Sequence, residues 1–204
     1  EEEYPKVADQ IQSVAVKALS EVMIGCYFNK PEETILLIDS LLQHHQEYLG
    51  FPNVSSLVGL RGKLQGEIGL YAQCADGMYD FLNQIQAFAK KEDFPSHQQM
   101  ADYYNVLHDE AAPVVTRPDQ DTEIPMTIEE AGRGVLMFVP VRIPNKTYKF
   151  IFDTGAGSTF LSKRLADEIG IRIVRDSLHI AGAFAVGTGK SGILDSMEVG
   201  DIVF

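Results

Sequence analysis

Basic residues are scarce in this chain: 17 Lys+Arg stand against 29 Asp+Glu in 204 residues, a formal charge of −12. A surface that grips a phosphate backbone needs clustered Lys and Arg, so the deficit argues against a nucleic-acid partner. Cysteine is scarcer still. Cys26 and Cys74 form neither a metal motif nor a disulfide framework and read as thiols packed between helices. No apolar run nears the roughly 20 residues that span a bilayer, so no membrane span is expected. An initiator Met and a signal peptide are both missing; opening on Glu1-Glu2-Glu3, the chain reads as starting at a mature or engineered boundary. With 45% hydrophobic and 23% charged residues, what remains is the composition of an ordinary globular protein.

The charge is unevenly spread. Residues 1–112 hold 7 Lys+Arg and 17 Asp+Glu, whereas residues 113–204 hold 10 and 12. The first part reads as about five helices. Pro31 suits a first helical position, and Glu32 and Glu33 after it suit the positive end of the helix dipole. Ile35, Ile38, Leu41, Leu42 and Leu49 keep to one side at helical spacing. Ser96 with Gln99 predicts a capping box, and Met100, Tyr103, Tyr104 and Leu107 an amphipathic stripe. A faint repeat at an offset of 44 pairs Ile24-Gly25-x-Tyr27 with Ile68-Gly69-x-Tyr71, Ile38 with Leu82, and Leu41 with Ile85. Stacked helical pairs of the tetratricopeptide or HEAT kind have periods near 34 or 40–47. A helical bundle or a helical repeat both fit, as a scaffold or a surface for a protein partner.

From Ala111 the texture changes. Pro113, Pro118 and Pro125 oppose helix and mark a seam at 113–121. Beyond it, VLMFVPVRI and TYKFIF flank Pro144-Asn145-Lys146 as a β-hairpin would. LSKRLADEIG predicts one short helix closed by Gly170, and the remainder reads as short strands punctuated by glycine.

Within this half, FIFDTGAGSTF places one carboxylate, Asp153, at the end of an apolar strand and follows it with small, turn-prone residues. A lone aspartate is a poor base at neutral pH and cannot also act as the acid. Two carboxylates held close share one proton, and the pair then supplies both functions. Thr-Gly suits such a placement: the hydroxyl can bond neighbouring backbone, and Gly155 admits another main chain.

Ile151-Phe152-Asp153-Thr154-Gly155-Ala156, with a hairpin before it and GSTFLSKRLADEIGI after it, resembles the active-site loop of retropepsin-like aspartic proteases of bacterial type. The resemblance covers about residues 122–204. It implies a mainly-β acid-protease domain in which Asp153 is the catalytic acid/base, Thr154 ties two active-site loops together and Gly155 forms the turn. It also implies substrate contacts from Ala156 and from a flap at 181–189, with Gly182, Ala183, Phe184 and Gly187 at or beside its tip. A second Asp-Thr-Gly or Asp-Ser-Gly is lacking, so activity implies a homodimer with one Asp153 from each chain. Asp195 lacks the following glycine and reads as a turn residue. The family's last strands and its hydrophobic-hydrophobic-Gly segment are missing after Phe204, so the domain is expected to be incomplete or degenerate.

Together these readings give a multidomain α + β chain: a helical domain at 1–112, a linker at 113–121 and a retropepsin-like domain at 122–204. The implied activity is endopeptidase hydrolysis of a peptide or protein substrate, without cofactor; the alternative is a non-catalytic peptide- or protein-binding module. The family's bacterial habit and the clipped start point to an extracytoplasmic location, periplasmic or secreted.

Look-alikes fare worse. GTGKSG at 187–192 satisfies G-x-G-x-x-G, but strand-like sequence follows where a dinucleotide site opens a helix. A phosphate loop would need glycine where Phe184 stands; a hairpin turn is the expected use of these glycines. An aspartyl-phosphate site would need further acids in 154–165. Ser158, Ser162 and His179 lack triad context, and His44, His45 and His97 lack metal-ligand spacing.

Overall fold

The computed structural model describes residues 3–132, 134–181 and 186–204. It divides into two units, Glu1–Ala112 and Pro113–Phe204.

The first unit is helical: α1 (Tyr4–Ala8), α2 (Val14–Tyr27), α3 (Pro31–His44), α4 (Gln46–Glu67), α5 (Tyr71–Ile85) and α6 (Pro95–Asn105), with a 3-10 turn at Lys91–Asp93. Pro31 does open α3, with Glu32 and Glu33 in its first turn. α4 bends near its start, where Gly50 (φ 69°, ψ 159°) leaves helical geometry just before Pro52. The apolar spacing read from sequence becomes the core: Ile38, Leu41, Met78 and Leu82 are fully buried, with Val22, Cys74 and Ala101 around them. No helix among the described residues is long and apolar enough to cross a membrane.

Two expectations for this unit are corrected. Ser96 does not cap a helix. Pro95 takes the first position of α6, its absent N–H costing nothing there, so the cap falls on Phe94, with no side-chain cap bond. Backbone conformation, hydrogen bonds and burial recur in this unit at an offset of 40 rather than the expected 44. Asn29 and Gly69 share the left-handed backbone conformation (φ 52° and 81°) between consecutive helices. Lys30 N donates to Gly25 O at 2.9 Å, just as Leu70 N donates to Gln65 O at 2.8 Å. Thr34, Ile35, Ile38, Leu41 and Leu42 of α3 match Cys74, Ala75, Met78, Phe81 and Leu82 of α5, all buried. The Ile-Gly likeness misleads because Gly25 lies inside α2, whereas Gly69 lies beyond the end of α4.

The second unit is built on an antiparallel sheet of β1 (Thr127–Ala131), β2 (Gly134–Ile143), β3 (Lys146–Ile151), β6 (Glu198–Val199) and β7 (Ile202–Val203). β2 is its hub, pairing with β1, β3 and β6. The β2–β3 hairpin closes at Ile143↔Lys146 over Pro144-Asn145, as expected. Alternation along β2 sends Val139, Val141 and Ile143 inward, where Ile124, Tyr148, Phe150 and Ile169 pack on them. The short helix α7 (Lys163–Ile169) starts under a hydrogen bond from Leu165 N to Ser162 Oγ (3.2 Å) and stops at Gly170, which is left-handed (φ 72°). The proline-marked segment is not wholly a free tether: Thr116 bridges Val203 through two backbone bonds of 2.9 and 3.0 Å.

A separate two-stranded sheet joins β4 (Arg172–Ala181) to β5 (Val186–Ile193). GTGKSG lies within β5, so its glycines are strand residues and not the expected turn. A methyl group on Gly189 would overlap Ile180 Cδ1, and one on Gly192 would overlap Ile171. The glycines therefore let side chains lie across the strand, and no helix follows them to bind a pyrophosphate.

Candidate active site

Asp153 emerges where the β2–β3 hairpin runs out. Phe152 N still donates to Met137 O at 2.8 Å, so the chain is held to β2 up to the residue before the aspartate. Three residues then turn back sharply. Gly155 N donates to Asp153 Oδ1 at 2.8 Å, and Ala156 N donates to Asp153 O at 3.2 Å. The carboxylate thus closes an Asx-turn in its own loop, the local chemistry that Asp followed by Thr-Gly favours. The backbone bond fixes Oδ1; among the described residues nothing donates to Oδ2. Asp153 is exposed in the single chain.

The loop borders an open groove of about 710 Å³. Phe150, Phe152, Phe160, Leu161 and Leu165 supply an apolar lining, with Asp153, Ala156, Ser158 and Thr159 along it. Asp153 and Ala156 line the groove, and Gly155 turns the chain between them. Thr154 is exposed, and its hydroxyl makes no hydrogen bond among the described residues. Gly155 does not need the left-handed region. A methyl group there would lie 3.3 Å from Asp153 Oδ1, so glycine keeps space open beside the carboxylate. Gly187 lies in β5 opposite Ile180 and does not line the groove. Gly182, Ala183 and Phe184 lie outside the described residues. His179 pairs with Thr188 through the backbone of β4 and β5, and Asp195 is exposed at a bend, as its missing glycine suggested.

Sequence reasoning missed the groove's apolar wall. Its signal was Phe152 and Phe160, large apolar residues flanking a polar turn. They remain 47% and 60% exposed, and Ile151 55%. A unit of this size that fully buries only Val139, Val141 and Ile143 among its described hydrophobic residues leaves much apolar surface unpaired.

The aspartate-bearing loop stands on a β-hairpin beside an apolar groove and is followed by a short helix, and the stretch that holds it resembles an aspartyl protease. Residues 139–204 match the family model "gag-polyprotein putative aspartyl protease". A stretch of 73 residues is 34% identical to "DNA damage-inducible protein 1" of Saccharomyces cerevisiae, covering 36% of this chain and 15% of that protein. The chain thus aligns with less than a sixth of that relative's length. No solved structure gives a significant match.

Proposed function

We propose that the Pro113–Phe204 unit is an aspartic endopeptidase domain that acts when two copies bring their Asp153 carboxylates face to face. The carrying observation is the Asp-Thr-Gly-Ala turn at the mouth of an apolar groove, its Oδ1 fixed by Gly155 N–H and its Oδ2 unengaged among the described residues. Two such carboxylates a few ångströms apart cannot both ionise, so one keeps a proton. The ionised partner takes a proton from a water whose oxygen attacks the peptide carbonyl carbon. The protonated partner gives its proton to the carbonyl oxygen, forming a gem-diol. The newly protonated carboxyl then gives its proton to the amide nitrogen as the C–N bond breaks, while the other carboxylate takes a proton from a gem-diol hydroxyl, so the pair returns to its starting protonation state. The exposed Ile151, Phe152 and Phe160 are apolar surface that a second copy or a substrate would cover.

A second reading has its own support. Asp153 closes a turn within its own loop, which a purely structural aspartate also does, and this favours a non-catalytic peptide-binding module. Incubating the full chain and its Asp153→Asn variant with a mixture of apolar-rich peptides, from acid to neutral pH, separates the two. The endopeptidase reading expects cleavage that passes through a maximum below neutrality and falls by about 10²–10⁴ in the variant, with a sedimenting dimer as the active species. Equal cleavage by both proteins would remove Asp153 from catalysis. Saturable peptide binding without cleavage by either would favour the binding module.

A further inference from the structure

The helical unit carries a groove of its own, about 460 Å³, which the protease reading does not use. Phe51, Val54 and Val58 of α4 form one wall, at spacings of three and four that put them on one helical face. Phe81 and Ile85 of α5 form the other, and Phe88 stands just past the end of that helix. Phe51 stacks on Phe81 with ring centres 6.3 Å apart and meets the edge of Phe88 at 5.4 Å. This aromatic group is unfinished: Phe88 is 68% exposed and Phe51 38%. Folding gains little from holding Phe88 in water, so the group looks built to receive one more apolar side chain.

The charges around it select the kind of chain that would bring that side chain. Arg61, the groove's one basic lining residue, is already neutralised: its Nη1 donates to Asp39 Oδ1 at 3.0 Å, and it lies across Gly77, where a methyl group would come within 3.1 Å of Nη2. Asp80, one helical turn before Gln84 on the same rim, is exposed and has no ion pair among the described residues. The surrounding unit holds 7 Lys+Arg against 17 Asp+Glu. A net negative field of this kind repels nucleic acid and anionic lipid and attracts cations.

We propose that this groove docks a cationic protein segment, seating an aromatic or aliphatic side chain against Phe51 and Phe88 and pairing a nearby Lys or Arg with Asp80. Its apolar anchor supplies the affinity, and Asp80 with the unit's net negative charge supplies choice of partner. The proposal is independent of Asp153 and of any cleavage.

The test uses the full chain and two fluorescent peptides, one with Phe and Leu a helical turn apart among lysines, the other identical but with glutamates for lysines. Anisotropy should show saturable binding of the lysine peptide that weakens as salt rises, and none of the glutamate peptide. Phe88→Ala should weaken binding about tenfold, and Asp80→Asn about threefold, as for an exposed ion pair. Both side chains are exposed, so unchanged far-UV dichroism is expected to accompany the loss. Equal binding of the two peptides, no saturable binding of either, or full affinity in folded Phe88→Ala would overturn the proposal.

Discussion

Substituting Gly25→Ala tests whether the contact of α2 with α3 is set by one missing methyl group. Gly25 is buried near the end of α2, and a Cβ added there would overlap Thr34 Oγ1 and lie 3.2 Å from Thr34 Cβ. Thr34 cannot easily retreat. It is fully buried, and its hydroxyl donates to Lys30 O at 2.6 Å. Alanine would gain at most about 1 kcal/mol in helix propensity, while overpacking a rigid contact costs about 1–3 kcal/mol. A net loss of about 0–2 kcal/mol is expected. Thr34→Ala alone forfeits a hydrogen bond worth about 1 kcal/mol and a buried methyl worth about 0.8 kcal/mol. It regains about 0.5 kcal/mol in propensity, so it should cost about 1 kcal/mol. In the double variant the overlapping oxygen is gone while alanine keeps its propensity gain, so its cost should fall about 1 kcal/mol below that of Thr34→Ala alone. The coupling then equals the relieved overpacking, about 1–3 kcal/mol, well above the few tenths expected of independent sites. Urea unfolding followed by helical dichroism measures all four proteins, and equal slopes would show that stability alone has changed. Costs that simply add, within about 0.5 kcal/mol, would refute the idea that this close approach locks the two helices.

Two other outcomes follow from the chemistry of single groups. Burial, only slightly offset by Arg61, pushes the Cys74 thiol up to about 12, so at mildly alkaline pH it stays protonated as well as shielded. Thiol reagents should therefore modify the partly exposed Cys26 first and reach Cys74 only upon unfolding; equal native rates would contradict the packing. Glu168 accepts from Lys146 Nζ at 2.6 Å and Tyr148 OH at 3.1 Å, and these bonds, Lys146's first, hold its carboxyl below the usual glutamate range. A depressed folded pKa means the stabilisation is present above the unfolded glutamate value, about 4.3, and is lost as the pH falls through the lower folded one. Stability against pH should therefore have a shallower acid limb in Glu168→Gln than in the parent, and superimposable limbs would remove the role assigned to this cluster.

The sequence by itself determined what short-range chemistry decides. Apolar spacing in α3 and α5 placed the helical core, because a period near 3.6 puts Ile38 and Leu41 on one side whatever lies opposite. Gly170 stopped α7 because a left-handed terminus excludes most other residues, and Pro144-Asn145 closed the β2–β3 hairpin. The turn at Asp153 was legible for the same reason, since its two hydrogen bonds span only two and three residues.

Only the tertiary structure decided the rest. The true period of the repeat rests on which residues face one another across helices, and an Ile-Gly likeness in sequence cannot report that. The glycines of β5 belong to a strand because Ile180 and Ile171 lie over them, a reason that exists only once β4 is in place. The two grooves are likewise products of assembly. Phe51, Phe88, Phe152 and Phe160 look like core residues in a linear reading, because hydrophobicity is a property of the side chain. Whether a partner within the chain covers it depends on where the elements meet, and for these four the fold leaves the ring in water.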